Sequence, residues 1–91
     1  MDTHALSIKQ EVMPANTAEE LHYHKEAQQF FYILQGEAVF EIDYAIIVLR
    51  KGEGTEVAPG TPHRILNKQT EPLEFLVCSQ PSTINDRHNV V

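Results

Sequence analysis

Cysteine is scarce in this sequence, because Cys78 is the only one among 91 residues. A disulfide within one chain is therefore excluded, whereas a secreted domain of this size would normally carry several paired cysteines. The N-terminal residues 1–5 lack the basic patch and apolar run of a signal peptide. No stretch approaches the roughly 20 apolar residues of a membrane-spanning helix. We therefore expect a soluble, cytoplasmic protein without a membrane partner.

Basic charge is scarce as well. The sequence has 7 lysines and arginines against 13 aspartates and glutamates, which gives a formal net charge of −6. The basic residues are scattered, and Arg50-Lys51 is their largest cluster. Since a phosphate backbone would be repelled by such a surface, we expect no nucleic-acid partner.

The length excludes a second hydrophobic core, so the whole chain, residues 1–91, is expected to form one domain. A chain this short buries only about 60–65% of the surface that its unfolded form exposes. The core alone is therefore expected to give only marginal stability, unless a metal ion or a partner subunit stabilises the fold further.

Also missing is the apolar spacing of three or four residues that is typical of an amphipathic helix. Short apolar stretches with an alternation of period two, interrupted by turn residues, predict an all-β sandwich or barrel. The predicted strands cover residues 6–13, 18–24, 29–34, 38–43, 44–49, 55–57, 63–66 and 73–78. The alternation is lost after residue 80, so residues 81–91 are predicted to form an irregular tail.

One predicted strand, residues 44–49, reads Tyr-Ala-Ile-Ile-Val-Leu and has no polar face. Such a strand needs cover on both sides. In so small a domain a second copy of the chain would supply that cover, so we expect a homodimer.

Two histidines, His22 and His24, are separated by one residue within a predicted strand. Because alternate side chains of a strand project from the same face, the two imidazoles would lie a few ångströms apart. Two neutral imidazoles so placed can chelate one metal ion. The alternative is a pair of surface or hydrogen-bonded histidines.

The histidine pair belongs to a longer pattern of turn formers and metal-binding residue types. Its members are, in order, His22, His24, Gln29, Gly36, Gly52, Gly60, His63 and Asn67. This pattern resembles the two-part cupin signature, with the first motif at about residues 16–36 and the second at about residues 52–67. The resemblance implies a single cupin domain, a double-stranded β-helix or jelly-roll barrel. It also implies that the three motif histidines bind a divalent ion such as Zn, Fe, Mn or Ni.

Gln29 departs from that signature, because cupins carry a glutamate there as the one anionic ligand. Three imidazoles and a carboxamide leave a bound divalent ion with its full charge of +2. Metal affinity should then fall, while a bound water or anion should meet a stronger Lewis acid. The alternative is that Gln29 turns away, bonds a neighbour and leaves a three-histidine site.

A second departure is Tyr44, which falls where many cupins have the glycine of an Asp-Gly hairpin turn. A position with positive φ suits tyrosine poorly. The turn at Asp43-Tyr44 is therefore predicted to be longer than two residues or differently shaped.

The pocket residues follow from the same alternation. By parity with Gln29 and His63, we expect Phe31, Ile33 and Ile65 to face the barrel interior and to line the pocket. Arg64, next to His63, should point away. The acidic residues near the first motif are expected to be solvated charges, which leaves no evident general acid or base; they are Glu19, Glu20, Glu26 and Glu37.

Two functions remain open. The first is a metal-binding cupin that takes a small molecule into the barrel, as a metal-dependent dioxygenase or an isomerase or epimerase. The second is a non-catalytic binding or sensory module with a degenerate metal site. Fold alone does not choose between them, or decide whether the protein is an enzyme.

Overall fold

A computed structural model of the chain describes residues 5–90. His4 and the other first residues of the N-terminal segment lie outside the described residues, as does residue 91. No helix within residues 5–90 is long and apolar enough to cross a membrane.

The described chain consists of β-strands and turns, which confirms the all-β prediction. The strands are β1 (Ser7–Met13), β2 (Thr17–Ala18), β3 (His22–Tyr23), β4 (Gln28–Gln35), β5 (Glu37–Ile42), β6 (Ala45–Arg50), β7 (Gly54–Val57), β8 (His63–Asn67), β9 (Leu73–Gln80) and β10 (His88–Asn89). They form two antiparallel sheets with the orders β1-β9-β4-β7 and β10-β3-β8-β5-β6, and β2 also pairs with β8. This architecture is that of a jelly-roll barrel.

The core lies between the inner faces of the two sheets. Alternate residues of β4 and β9 point inward from one sheet, and alternate residues of β5 and β8 point inward from the other. Their largest fully buried apolar side chains include Phe40, Ile33, Ile65 and Leu73. The alternation in β4 and β9 is therefore a direct consequence of the one buried face of the sheet that they share.

The strand predicted at residues 18–24 is wrong as a continuous element, because the structure has two short strands there. Both pair with β8, Ala18 with Leu66 and His22 with His63. Three residues separate Ala18 from His22, whereas two separate the corresponding partners. This extra residue shifts the register and bends the chain between β2 and β3.

The tail beyond residue 80 is mostly turn and coil, but it is not without strand structure. β10 pairs with β3, with His88 opposite Tyr23 and Asn89 opposite His22. The two rings of His88 and Tyr23 stack with centroids 5.1 Å apart. The tail is thereby attached directly to the strand that carries His22.

The hairpin between β5 and β6 contradicts the prediction of a longer turn. Ile42 pairs with Ala45, so the loop contains only Asp43 and Tyr44. Their φ angles are 51° and 66°, the pair of positive angles that a two-residue type I′ turn requires. Tyr44 adopts the left-handed conformation because the register of the hairpin requires it, and its side chain is exposed.

Replacement of Tyr44 by glycine should stabilise the protein. The left-handed conformation costs an L-residue about 1–2 kcal/mol and costs glycine almost nothing, and the greater freedom of glycine in the unfolded chain offsets part of that gain. We expect the free energy of unfolding in urea to rise by about 1 kcal/mol in Tyr44→Gly. Tyr44→Ala, which keeps the strain, is the control, and equal stabilities for the two variants would contradict the prediction.

Candidate metal centre

Three histidines converge inside the barrel. His22 lies in β3, His24 directly follows that strand, and His63 begins β8 opposite His22. One ring nitrogen from each can be chosen so that all three atoms lie within 4.8 Å of one another. All three side chains are buried, with exposures of 1–5%. The sequence thus brings together residues 41 positions apart through the pairing of β3 with β8.

Backbone carbonyl groups orient each of these rings. The Nδ1–H of His22 donates to the carbonyl of Glu20, that of His63 to the carbonyl of Thr61, and that of His24 to the carbonyl of Asp86, each over 2.8 Å. Because a carbonyl oxygen only accepts, Nδ1 carries the proton and Nε2 carries the lone pair. The three rings are therefore held in the tautomer that a metal ligand needs.

Protonation of these rings is disfavoured. Burial lowers the pKa of His22 to about 4, and the neighbouring charges of His63, Arg87 and His24 act in the same direction, although the carbonyl of Glu20 opposes them. Burial also lowers the pKa values of His24 and His63. Neutral imidazoles with free lone pairs are the form that binds a divalent ion.

Gln29 does not turn away from the histidines. Its side-chain nitrogen donates to the Ser79 hydroxyl at 3.1 Å, and its Oε1 lies 3.0 Å from Nε2 of His63. Since Nδ1 of His63 bears the proton, this contact joins two atoms that both carry lone pairs. A cation bound by both atoms would replace this unfavourable contact by two favourable ones, from the cation to Oε1 of Gln29 and to Nε2 of His63.

The spacing of these two atoms fits such a cation. Donor atoms at right angles to each other, each about 2.1 Å from one ion, are about 3.0 Å apart. The donor set of three imidazole nitrogens and one amide oxygen also suits Zn, Fe, Mn or Ni. A half turn of the amide offers a metal-free alternative, in which its nitrogen donates to His63 and its oxygen accepts from Ser79.

A cavity of about 200 Å³ adjoins the histidines. His22, His24 and Gln29 line it, and Phe31 is part of its apolar wall. The other two expected pocket residues, Ile33 and Ile65, are buried in the core, with exposures of 0% and 1%, and are not among the residues that line the cavity. Their side chains belong to the same buried cluster as Phe31.

Two charged residues beside the histidines were not expected from the sequence. Arg87 lines the cavity, and so does Glu19, which is only partly exposed. The Glu19 carboxylate accepts a hydrogen bond from the backbone N–H of Ile65 at 3.2 Å, and burial raises its pKa. The interpretation of Glu19 as a solvated charge is therefore wrong, because the bend after β2 directs it toward the barrel. Arg64 instead contacts Glu41 at 2.8 Å and does not line the cavity.

Asp86 is a further residue that sequence reasoning missed. Its carboxylate accepts hydrogen bonds from the backbone N–H groups of Lys25, Glu26 and Ala27 at 2.9–3.0 Å. Burial opposes its ionisation, but these three donors outweigh burial and hold the pKa of Asp86 below its usual value. Since its backbone carbonyl also orients His24, Asp86 positions the loop that follows the histidine pair. No local sequence signal marks it, because its partners lie about 60 residues away.

Comparison with known proteins agrees with this architecture. The family profile described as a cupin domain matches residues 9–79. An uncharacterised protein of Methanocaldococcus jannaschii is 32% identical over 75 residues, which cover 82% of this chain and 60% of that protein. This chain therefore spans less than two thirds of that relative's length.

Solved structures are also similar. One is the crystal structure of a Thermus thermophilus protein, with a TM-score of 0.83, 22% identity and coverage of 89% of this chain and 77% of that one. Another is that of a Thermotoga maritima protein named a predicted oxalate decarboxylase, with a TM-score of 0.77, 27% identity and coverage of 81% and 64%. The two-sheet barrel, the motif histidines and the match over residues 9–79 together establish that this chain belongs to the cupin family.

Proposed function

We propose that this cupin binds a divalent metal ion through His22, His24, His63 and Gln29 and takes a small molecule into the adjoining cavity. The observation that carries the proposal is the set of three buried imidazoles whose Nδ1 protons are all held by backbone carbonyls. This arrangement leaves a lone pair on Nε2 of each ring, and the rings are close enough for one nitrogen of each to lie within 4.8 Å of the others. A cation is the ligand that such a set of acceptors favours.

The ion would supply Lewis acidity in the wall of the cavity. The chain's own residues would orient the ligands of the ion and shape the cavity. The backbone carbonyls fix the rings, Ser79 holds the amide of Gln29, and Phe31 keeps one wall of the cavity apolar. Because no ligand in this set is anionic, the ion would keep its full charge toward any molecule in the cavity.

Catalysis is the first of two uses that are compatible with this geometry. Glu19 offers a carboxyl group of raised pKa in the cavity wall, which favours proton-transfer chemistry of an isomerase or epimerase type over oxygen chemistry. The Thermotoga maritima neighbour, named for a decarboxylase, is in keeping with catalysis on a small substrate.

A non-catalytic binding or sensory module is the alternative, and the amide of Gln29 favours it. In its rotated form that amide satisfies both His63 and Ser79 without a metal. Turnover that depends on added metal would exclude the binding module. Conversely, ligand affinity that is unchanged after complete metal removal would exclude the metal-dependent enzyme.

The metal content of the purified protein is the first test of the proposal. Protein purified without a histidine tag should contain close to one equivalent of a divalent metal by elemental analysis. The double variant His22→Ala/His63→Ala should contain almost none, because two of the three imidazoles are lost. Circular dichroism checks that the variant retains its β structure. Equal metal content in the two proteins would refute the assigned site, and so would a metal-free parent protein after dialysis against zinc.

Restoration of the anionic ligand should strengthen metal binding. Gln29→Glu replaces a neutral donor by a carboxylate beside a divalent ion, and we expect zinc affinity to rise by at least about tenfold in competition with a chromogenic chelator. Gln28→Glu is the matched control, since it adds the same charge at the neighbouring exposed position. If both variants bind zinc as the parent does, Gln29 is not a ligand.

Homodimerisation through β6 is a further part of the proposal. β6 is the last strand of its sheet, and Ile46, Ile47 and Val48 are 63%, 37% and 42% exposed. One edge strand of the other sheet, β1, carries the polar residues Lys9, Gln10 and Glu11, which disfavour pairing with another chain. β6 has no such protection before Arg50, so a second copy that pairs with it would cover the apolar residues.

Charged substitutions on β6 test this interface. Ile46→Lys/Val48→Lys introduces two charges on its outer face, and we expect sedimentation velocity to change from a dimer to a monomer of 10.3 kDa at micromolar concentration. Val12→Lys places the same charge on an exposed residue of β1 and should leave the dimer intact. A parent protein that sediments as a stable monomer would rule out the dimer.

Location and domain number remain part of the same proposal. The single cysteine, Cys78, suits a reducing, cytoplasmic location, and the acidic net charge of −6 argues against a nucleic-acid partner. The described residues form one core between two sheets, which supports a single domain.

A further inference from the structure

Two basic residues are among those that line the cavity beside the histidines. Lys9 of β1 and Arg87 of the C-terminal segment both line it. Arg87 follows Asp86, whose carboxylate accepts three backbone N–H groups. The guanidinium is therefore carried on an anchored segment, while its own side chain remains about half exposed.

The donors of Arg87 are available to a ligand. Among the described residues, its ion pair joins Nη1 to a carboxylate oxygen of Glu19 over 3.7 Å, which is longer than a hydrogen bond. Arg87 also lines the same cavity as His22, His24 and Gln29.

The charges around the cavity favour an anion once a metal is bound. Lys9 and Arg87 are balanced by Glu11 and Glu19, which line the same cavity. The proposed ion, held by four neutral ligands, adds two positive charges without compensation. An anion gains from this excess of positive charge.

The size and walls of the cavity limit the rest of the ligand. A volume of about 200 Å³ is below the range of about 300–1,000 Å³ for drug-sized ligands and corresponds to roughly six or seven water molecules. Phe31, Phe75 and Val77 form an apolar part of the wall. A short aliphatic chain would cover these side chains.

We propose that the cavity binds a short-chain organic carboxylate, with its apolar part on Phe31, Phe75 and Val77 and its carboxylate between the metal site and the side chains of Arg87 and Lys9. Arg87 is the specificity-determining residue, because a planar guanidinium matches the two oxygens of a carboxylate. This inference rests on the proposed metal site and adds the class of ligand.

The test is an NMR titration of zinc-loaded protein with butyrate and with butyramide, its neutral analogue of the same shape. Butyrate should bind at least about tenfold more tightly, in proportion to one charge-assisted interaction. Arg87→Gln should weaken butyrate binding by about tenfold and leave butyramide binding and zinc content unchanged. Arg50→Gln, which removes an exposed arginine on β6, is the matched control and should bind both probes as the parent does.

Several outcomes would overturn the inference. One is equal affinity of the parent protein for butyrate and butyramide, and another is butyrate binding that Arg87→Gln leaves unchanged. Tighter, Arg87-dependent binding of ethyl phosphate would replace the carboxylate by a phosphate ester. If Arg87→Gln fails to fold, Lys9→Gln serves instead, because Lys9 is an exposed residue of β1 that also lines the cavity, and the expected loss is about threefold.

The proposed metal site and the proposed carboxylate site can be refuted separately. A protein that holds zinc but does not prefer butyrate refutes this inference and leaves the proposed metal site intact. A protein that holds no zinc refutes the metal site. In that case an Arg87-dependent preference of the metal-free protein for butyrate still supports the carboxylate subsite, and its absence refutes the subsite.

Discussion

The site depends on one repeated interaction, the hydrogen bond from Nδ1 of an imidazole to a backbone carbonyl. It occurs at His22, His24 and His63, and each time it fixes which nitrogen is left with a lone pair. Two of the three acceptors belong to residues two positions before the histidine, Glu20 and Thr61. The local turn geometry therefore orients the ring before any distant contact forms. The barrel then has only to bring β3 and β8 together.

The third imidazole depends on a distant part of the chain. The acceptor for His24 is the carbonyl of Asp86, and the carboxylate of the same residue holds the backbone from Lys25 to Ala27. β10, directly after it, pairs with the strand of His22. The C-terminal segment therefore combines three tasks: it orients a ring, it holds a loop and it presents Arg87 to the cavity.

Most of the fold follows from local pattern, whereas much of the site's surroundings does not. The strands with one buried face, such as β5 and β9, are predicted from alternation, and the histidines are predicted from the motif. Asp86 and Arg87 could not be predicted, because their partners lie about 60 residues away and their segment has no periodicity. Tyr44 misled the turn prediction because the register of β5 with β6 overrides the preference of a single residue. Ile33 and Ile65 were expected to line the cavity, but they lie in the core. Alternation along a strand predicts which face a side chain projects from, but not whether that part of the face lines the cavity or the core.

The attachment of the C-terminal segment couples the cavity to the folding of that segment. Residues 81–90 contribute Thr83 and Arg87 to the cavity and are held by the bonds of Asp86 and by the short pairing of β10. A ligand that contacts Arg87 binds the docked segment and not the detached one, so ligand binding and docking must strengthen each other by the same free energy. Amide hydrogen exchange in β10 would then report occupancy of a cavity that β10 itself does not line.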